Sequence, residues 1–133
     1  MPLDQLIEEI RAQNFINGNY TKGTSGKTFR NISPVDGSLI SIVHEASLKD
    51  VDAAVKAAKA ALTGPWGEMP LAKRLEIVSG IVEGIQARFD DFLEAEVADT
   101  GKPMSLASHL DIPRGAANFQ IFADIMRNHH DAA

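Results

Sequence analysis

The hydrophobic residues between Ser47 and Gly64 recur at the three- and four-residue spacing of an amphipathic helix. Ser47 and Asp50 form a capping-box pattern at the start of this segment, with Asp in place of the usual Glu or Gln. Gly64 and Pro65 end the pattern, because neither residue continues a helix well. The pattern therefore predicts the first long helix of the chain.

A broader apolar stripe follows Pro70 and predicts a second long helix that contacts neighbours on more than one side. Its residues are Leu71, Leu75, Val78, Val82, Ile85 and Phe89, widened by Ile77 and Ile81. Gly80 and Gly84 interrupt this helix at about 1 kcal/mol each relative to alanine, so we expect close backbone packing there. Residues 90–100 are either a continuation of this helix or a separate one.

Residues 15–45 show short, β-rich segments. The segments FIN, KTFRNI and SLISIVHE predict three strands, joined by turns at Asn17-Gly18 and at PVDG. The run GTSGKT at 23–28 ends like a phosphate-binding loop, but a strand-like segment follows where that motif needs a helix. We therefore interpret it as a hairpin loop. Before this region, residues 4–13 predict a short peripheral helix.

Residues 99–119 combine a helix end and a helix start. Gly101 and Pro103 indicate the end of a helix, because Gly accepts a left-handed conformation and Pro cannot extend the helix. Asp111 is expected to cap the last helix, with Pro113 in its first turn, where no backbone N–H is needed. This last helix runs from about Ile112 to Met126 and ends in a polar tail.

Arg114 is predicted to lie in the first turn of that last helix. A cation there opposes the helix dipole, which favours acidic groups at a helix start. One reason for its presence is an anionic ligand. The alternative is an ordinary surface arginine, or one that pairs with a nearby acid.

Composition narrows the classes of protein. The chain of 133 residues has the size of one ordinary domain, and its hydrophobic share of 44%, rich in alanine, favours helices. The net charge of -5 and the lack of a basic cluster argue against a nucleic-acid partner. No apolar run reaches the roughly 18 residues of a membrane span, and no secretory pattern opens the chain. We therefore expect a cytoplasmic protein without a membrane partner.

Candidate catalytic groups are few. Cysteine is absent, which excludes disulfides, cysteine-bound metals and a thiol nucleophile. The four histidines show no metal-ligand spacing. Ser108, His109 and Asp111 are the residue types of a hydrolytic triad, but side chains adjacent in sequence are not expected to align as nucleophile, base and acid. We predict no catalytic residue in this chain.

The segments DTGKP at 99–103 and DIPRGAANF at 111–119 resemble the aldehyde dehydrogenase superfamily, and within it the branch that oxidises 2-hydroxymuconic and 2-aminomuconic semialdehydes. The resemblance extends from FINGNY at Phe15 to FADIM at Met126. It implies an α/β family fold of which this chain is an α+β piece, with short N-terminal strands followed by three to four helices. Residues 1–133 are then expected to form one unit, β-rich at 15–45 and helical at 47–130.

The resemblance also implies where function lies. The family's catalytic Cys, general-base Glu and nicotinamide-binding segments correspond to positions beyond residue 133, so NAD is expected for the full-length parent and no cofactor for this chain. Arg114 matches a position expected to hold the substrate's carboxylate. Asp99 matches a carboxylate near a monovalent-cation site, to which the backbone carbonyls of Asn31 and Ile32 also contribute. The alternative for Asp99 is an ordinary helix-end residue.

These expectations lead to one functional hypothesis and one alternative. The hypothesis is the N-terminal part of an NAD-dependent semialdehyde dehydrogenase, inactive as this isolated chain and prone to self-association. The alternative is a stand-alone, non-enzymatic structural or oligomerisation module.

Overall fold

The structure is a computed structural model that describes residues 11–129. It divides into two compact units, Met1–Glu68 and Met69–Ala133. That residues 1–133 act as one unit stays a prediction. The helix expected at residues 4–13 lies largely outside the described residues, and its last part is wrong, because Arg11–Ala12 is a strand. No helix in the described range has the length and apolarity needed to cross a lipid bilayer.

The described part of the first unit, residues 11–68, contains two small sheets built from five short strands. They are β1 (Arg11–Ala12), β2 (Asn14–Ile16), β3 (Asn19–Thr21), β4 (Thr28–Ile32) and β5 (Leu39–His44). One sheet has the order β1-β5-β4, in which β1 runs parallel and β4 antiparallel to β5. The other is the antiparallel pair β2-β3. The predicted strands within KTFRNI and SLISIVHE are confirmed.

The turn at Asn17-Gly18 is confirmed, with φ angles of 50° and 79° that match the two left-handed positions of a tight hairpin turn. It joins β2 to β3, a strand that the sequence pattern did not predict. Phe15 and Tyr20 face each other across this hairpin with ring centroids 5.1 Å apart. The 23–28 segment is not a hairpin loop, because it connects strands of different sheets.

Helix α1 (Leu48–Thr63) begins at the predicted capping box. Ser47 Oγ accepts a hydrogen bond from the Asp50 N–H, and the Asp50 carboxylate accepts one from the Ser47 N–H at 2.7 Å. Gly64 follows the last residue of the helix, as predicted. The short helix α2 (Pro65–Glu68) comes next, and the sequence pattern did not predict it.

Asp50 also fastens the loop after β3 to the start of α1. Its Oδ2 accepts hydrogen bonds from the Thr24 N–H at 2.8 Å, the Thr24 hydroxyl at 3.1 Å and the Ser47 hydroxyl at 2.8 Å. The side chain is buried, at 6% exposure. These donors, the Thr24 and Ser47 amides first, lower the pKa of Asp50 to about 2, because each stabilises the ionised carboxylate. The loop that resembles a phosphate-binding motif thus anchors a helix start.

The second unit is helical. Its elements are α3 (Leu71–Ala87), α4 (Phe89–Thr100), α5 (Met104–Leu106), a π-helical turn (Ala107–Asp111) and α6 (Ile112–Asn128). Helices α3 and α6 form its main packing, and the buried apolar residues are Leu75, Val82, Ala107, Ala116 and Ala123. Arg88, with φ -114° and ψ 31°, separates α3 from α4, so residues 90–100 belong to a separate helix.

Two sequence expectations about this unit are wrong. A Cβ atom added at Gly80 or Gly84 would meet no heavy atom within 4 Å, so close backbone packing does not explain these glycines. Asp111 does not cap a new helix, because its φ of -69° and ψ of -52° are helical and its side chain makes no cap hydrogen bond. The helical run begins instead at Met104, after Pro103.

The π-helical turn explains how Pro113 fits within this run. Proline lacks the N–H that an α-helix needs, and its ring crowds the carbonyl one turn earlier. A wider turn just before it relieves that crowding, and the Ile112 N–H bonds to the Ala107 carbonyl within it. Pro113 is therefore an interior residue of a continuous helical run, where capping rules read from sequence do not apply.

Candidate functional site

The candidate site is the corner between α4 and the helical run that follows. Gly101 ends α4 in the left-handed conformation, with φ 68°, and its N–H bonds to the Val97 carbonyl at 3.0 Å. This helix end is therefore confirmed. Pro103, in an extended conformation with ψ 134°, precedes Met104. Lys102 is thus fixed between a helix end and a helix start.

Lys102 bridges the two helical segments with its ammonium group. Its Nζ lies 2.9 Å from Asp111 Oδ2 and 3.3 Å from Glu96 Oε1. The side chains of all three residues are partly shielded, with Asp111 exposed by 25%. Hydrogen bonding to Asp111 and then to Glu96 raises the pKa of Lys102, because both acids stabilise the protonated amine.

Arg114 lies one helical turn after Asp111, on an exposed part of α6. Within residues 11–129 its guanidinium takes part in no hydrogen bond and no ion pair. The dipole at a helix start does not act on Arg114 as predicted, since Arg114 lies well inside the helical run that begins at Met104. What the structure presents is an exposed arginine, whose guanidinium carries five N–H donors.

An apolar groove begins at the residue before Arg114. It has a volume of about 450 Å³ and lies between α3 and α6. Its lining is mainly aliphatic and aromatic and includes Val82, Ile85, Phe89, Ile112, Pro113 and Ala116. The remaining side chains with polar groups are the amides of Gln86 and Gln120. The groove offers apolar contact, and its lining contains no titratable group.

Ser108 and His109 come closer than the sequence suggested, with Ser108 Oγ 3.1 Å from His109 Nδ1. The same Nδ1 lies 2.8 Å from the Ser105 carbonyl oxygen, which can only accept a hydrogen bond. A proton on Nδ1 satisfies that carbonyl and leaves Nδ1 unable to act as a base toward Ser108. Asp111 is held by Lys102. The three residues therefore do not form a catalytic triad.

The residues of the predicted cation site lie on different units. Asn31 and Ile32 end β4, where the pairing with β5 shifts register, and Asp99 lies exposed in the last turn of α4. Across residues 11–129, no three acidic or histidine side chains are grouped so that they could hold a metal ion. The role of Asn31, Ile32 and Asp99 toward a monovalent cation stays a prediction.

The part of the chain that the structure describes does not present the turn that binds dinucleotides. Such a turn is glycine-rich and leads from a parallel strand into a helix, whose N-terminus receives the pyrophosphate. Here the connection from β5 to α1 carries the capping box of Ser47 and Asp50. We therefore assign no step of any reaction to a cofactor held by these residues.

Comparison with known sequences places this architecture in a family. The sequence profile of the Aldehyde dehydrogenase family matches residues 20–133. The chain therefore belongs to the aldehyde dehydrogenase family.

Curated relatives of this chain include two semialdehyde dehydrogenases from Pseudomonas. The 2-hydroxymuconic semialdehyde dehydrogenase of Pseudomonas sp. (strain CF600) is 58% identical over 122 residues, covering 92% of this chain and 25% of that protein. The 2-aminomuconic 6-semialdehyde dehydrogenase of Pseudomonas sp. is 49% identical over 114 residues, covering 86% of this chain and 23% of that protein. The chain thus spans about a quarter of the length of these curated relatives.

Solved structures confirm the fold class. The NAD+ complex of an aldehyde dehydrogenase from Bacillus cereus matches with a TM-score of 0.87 at 30% identity. The match covers 98% of this chain and 27% of that one. The chain is therefore an α+β piece of the aldehyde dehydrogenase fold, with short strands followed by helices.

Proposed function

We propose that this chain is the N-terminal part of an NAD-dependent dehydrogenase that oxidises a muconic-type semialdehyde to the acid in aromatic catabolism. The observation that carries the proposal is the 58% identity, over 92% of the chain, to a 2-hydroxymuconic semialdehyde dehydrogenase. In this proposal the cysteine nucleophile, the general base and the NAD site belong to the rest of the enzyme. The present chain supplies scaffold and one wall of the substrate entrance, in a cytoplasmic enzyme.

Within this proposal Arg114 binds the carboxylate of the semialdehyde. Its guanidinium is exposed and has no ionic partner within the described range, so no existing pair has to break when an anion binds. A planar guanidinium matches a carboxylate through two parallel hydrogen bonds, which a lysine cannot reproduce. Arg114 would then orient the substrate and take no part in the chemical step.

The isolated chain is expected to show no aldehyde dehydrogenase activity and no tight NAD binding. The reason is the absence of cysteine from the sequence, together with the proposed location of the catalytic parts elsewhere in the enzyme. NADH formation with 2-hydroxymuconic semialdehyde measures the first property, and calorimetry measures the second. Turnover that persists after trace host enzymes are removed, or a low-micromolar dissociation constant for NAD, would contradict this expectation.

A chimera tests the positive half of the proposal. In it, this chain replaces the matching first part of the Pseudomonas sp. (strain CF600) relative, which it resembles at 58% identity. We expect the chimera to oxidise 2-hydroxymuconic semialdehyde, while the relative without its first part does not. A chimera that folds and binds NAD but oxidises only aldehydes lacking a carboxylate would refute the assigned substrate class.

The 133-residue chain is expected to self-associate in solution. Many large apolar side chains are exposed, among them Ile77 and Ile81 on α3 and Phe119 and Phe122 on α6. Apolar surface of this kind tends to be covered by a partner. Light scattering over a range of concentrations measures the association. The same experiment addresses the alternative of a stand-alone module, because a clean monomer with a sharp cooperative melt would show that the chain is self-sufficient.

A further inference from the structure

Asp111 and Arg114 are spaced so that they should pair, yet they do not. An acid followed three positions later by a base on a helix brings two opposite charges to neighbouring positions. Asp124 and Arg127 have the same residue types and spacing on α6, and they form an ion pair. Asp111 has helical backbone angles, so the geometry between it and Arg114 is comparable. Asp111 and Arg114 differ from Asp124 and Arg127 in forming no ion pair within residues 11–129.

Lys102 holds the Asp111 carboxylate. Its Nζ lies 2.9 Å from Asp111 Oδ2, and its second contact, 3.3 Å from Glu96 Oε1, holds the ammonium on the side of α4. The backbone around Lys102 is held by the left-handed Gly101 before it and by Pro103 after it. The Asp111 carboxylate is therefore held at the corner by Lys102.

We infer that Lys102 is a positioning residue that engages Asp111 and thereby keeps the Arg114 guanidinium available to an anionic ligand. The inference rests on the proposed role of Arg114 in binding a substrate carboxylate. Lys102 itself touches no substrate in this scheme. Its effect is to remove an acid that would compete with the substrate for the same cation.

The accessibility of Arg114 to a guanidinium-specific reagent tests this inference without any substrate. Phenylglyoxal is added to the 133-residue chain, and the modification rate of each arginine is followed by peptide mass spectrometry. Arg30, exposed in β4, gives the reference rate, and the paired Arg127 reports whether α6 stays folded. Lys102→Met is expected to slow the modification of Arg114 about twofold relative to Arg30, because Asp111 then pairs with Arg114.

A rescue separates positioning from a merely structural role. The double variant Lys102→Met, Asp111→Asn is expected to restore the rate at Arg114, since the competing carboxylate is gone. Lys102→Arg, which keeps the charge, should leave the rate unchanged. Lys73→Met is the matched control, because Lys73 pairs with Glu76 on α3 and should have no effect on Arg114.

Two outcomes overturn the inference. One is an unchanged Arg114 rate in Lys102→Met, and the other is a slowed rate that Asp111→Asn does not restore. Lys102→Gln is measured in parallel as a second variant that can keep the fold, since it keeps a hydrogen-bond donor for both acids without the charge. If neither Lys102→Met nor Lys102→Gln folds, as judged by lost protection of Arg127, Lys102 is required for folding and the inference fails. None of these results depends on whether Arg114 binds a substrate, which activity of the chimera tests separately.

Discussion

Arg114→Ala in the chimera is expected to raise the KM for 2-hydroxymuconic semialdehyde by about ten- to a hundredfold and to leave kcat nearly unchanged. A charge-assisted pair between a guanidinium and a carboxylate is worth roughly 1.5 to 3 kcal/mol, and 1.4 kcal/mol corresponds to about one decade in affinity. The loss is expected in KM because, in the proposed role, the carboxylate is remote from the reacting aldehyde and is bound equally in the ground and transition states.

A comparison of a charged with a neutral substrate is the control for this experiment. A neutral aldehyde of similar length should lose almost nothing in Arg114→Ala, because it has no carboxylate to bind. Arg114→Lys should recover only part of the loss, since an ammonium cannot make the two parallel hydrogen bonds. Arg127→Ala is the control variant, because it removes another arginine from the same helix, one that is already paired with Asp124. An equal loss for charged and neutral substrates would mean that Arg114 is structural, and no change at all would make it an ordinary surface arginine.

The helix after Ser47 and the helix end at Gly101 were predictable because their signals are local. The apolar spacing after Ser47, the capping box with Asp50 and the stop at Gly64 are all contained in one stretch of sequence, and each is present in the structure. The same holds for the left-handed end at Gly101. Local hydrogen bonds and side-chain periodicity decide these features, so neighbouring residues are sufficient to predict them.

The corner after α4 was not predictable in the same way. Asp111 followed closely by Pro113 fits a helix start, but tertiary packing continues the helix from Met104 and accommodates the proline with a π-helical turn. The Asp111 carboxylate then accepts a hydrogen bond from Lys102, nine positions earlier in the chain. Sequence rules for caps assume a free helix end, and they fail where packing of buried residues such as Ala107 extends the helix.

The β-rich part shows a second limit. Asn17-Gly18 identified a hairpin turn, but the strand after it, β3, is only three residues long and carries too few apolar positions for a periodic signal. The bond from Thr24 to Asp50 spans 26 positions and joins a loop to a helix start, which no local pattern encodes. Sequence alone therefore located the hairpin turn and the strands β4 and β5, but not the contact between the Thr24 loop and the start of α1.

The candidate site could be predicted only in part from the sequence. Residue chemistry alone left Arg114 open between a surface arginine and an anion ligand, and the family resemblance pointed to the second. The structure adds two observations that neither could provide: Asp111 is engaged by Lys102, and Arg114 is exposed. A single lysine in the DTGKP segment carried no sequence signal for this, because its two partners are identified only by the folded geometry.

The stability of the first unit is expected to fall as the pH is lowered from about 4 to about 2. The pKa of Asp50 is lowered from 3.8 to about 2 in the folded state, so its carboxylate stabilises the fold fully above pH 3.8. As the pH falls toward 2 the folded carboxylate also becomes protonated, and this contribution is lost. Thermal melts followed by circular dichroism between pH 2 and 7 measure the change.

Asp50→Ala assigns the effect to this carboxylate. At pH 7 the variant should melt roughly 5 °C below the wild type, because the start of α1 loses its cap and the Thr24 loop loses its anchor. The difference should shrink toward pH 2, where the wild-type carboxylate no longer contributes. Asp52→Ala is the matched control, since Asp52 lies on the same helix in an exposed pair with Lys56. If both variants melt alike at every pH, or if the Asp50→Ala difference does not depend on pH, the buried carboxylate is not what fastens the loop to the helix.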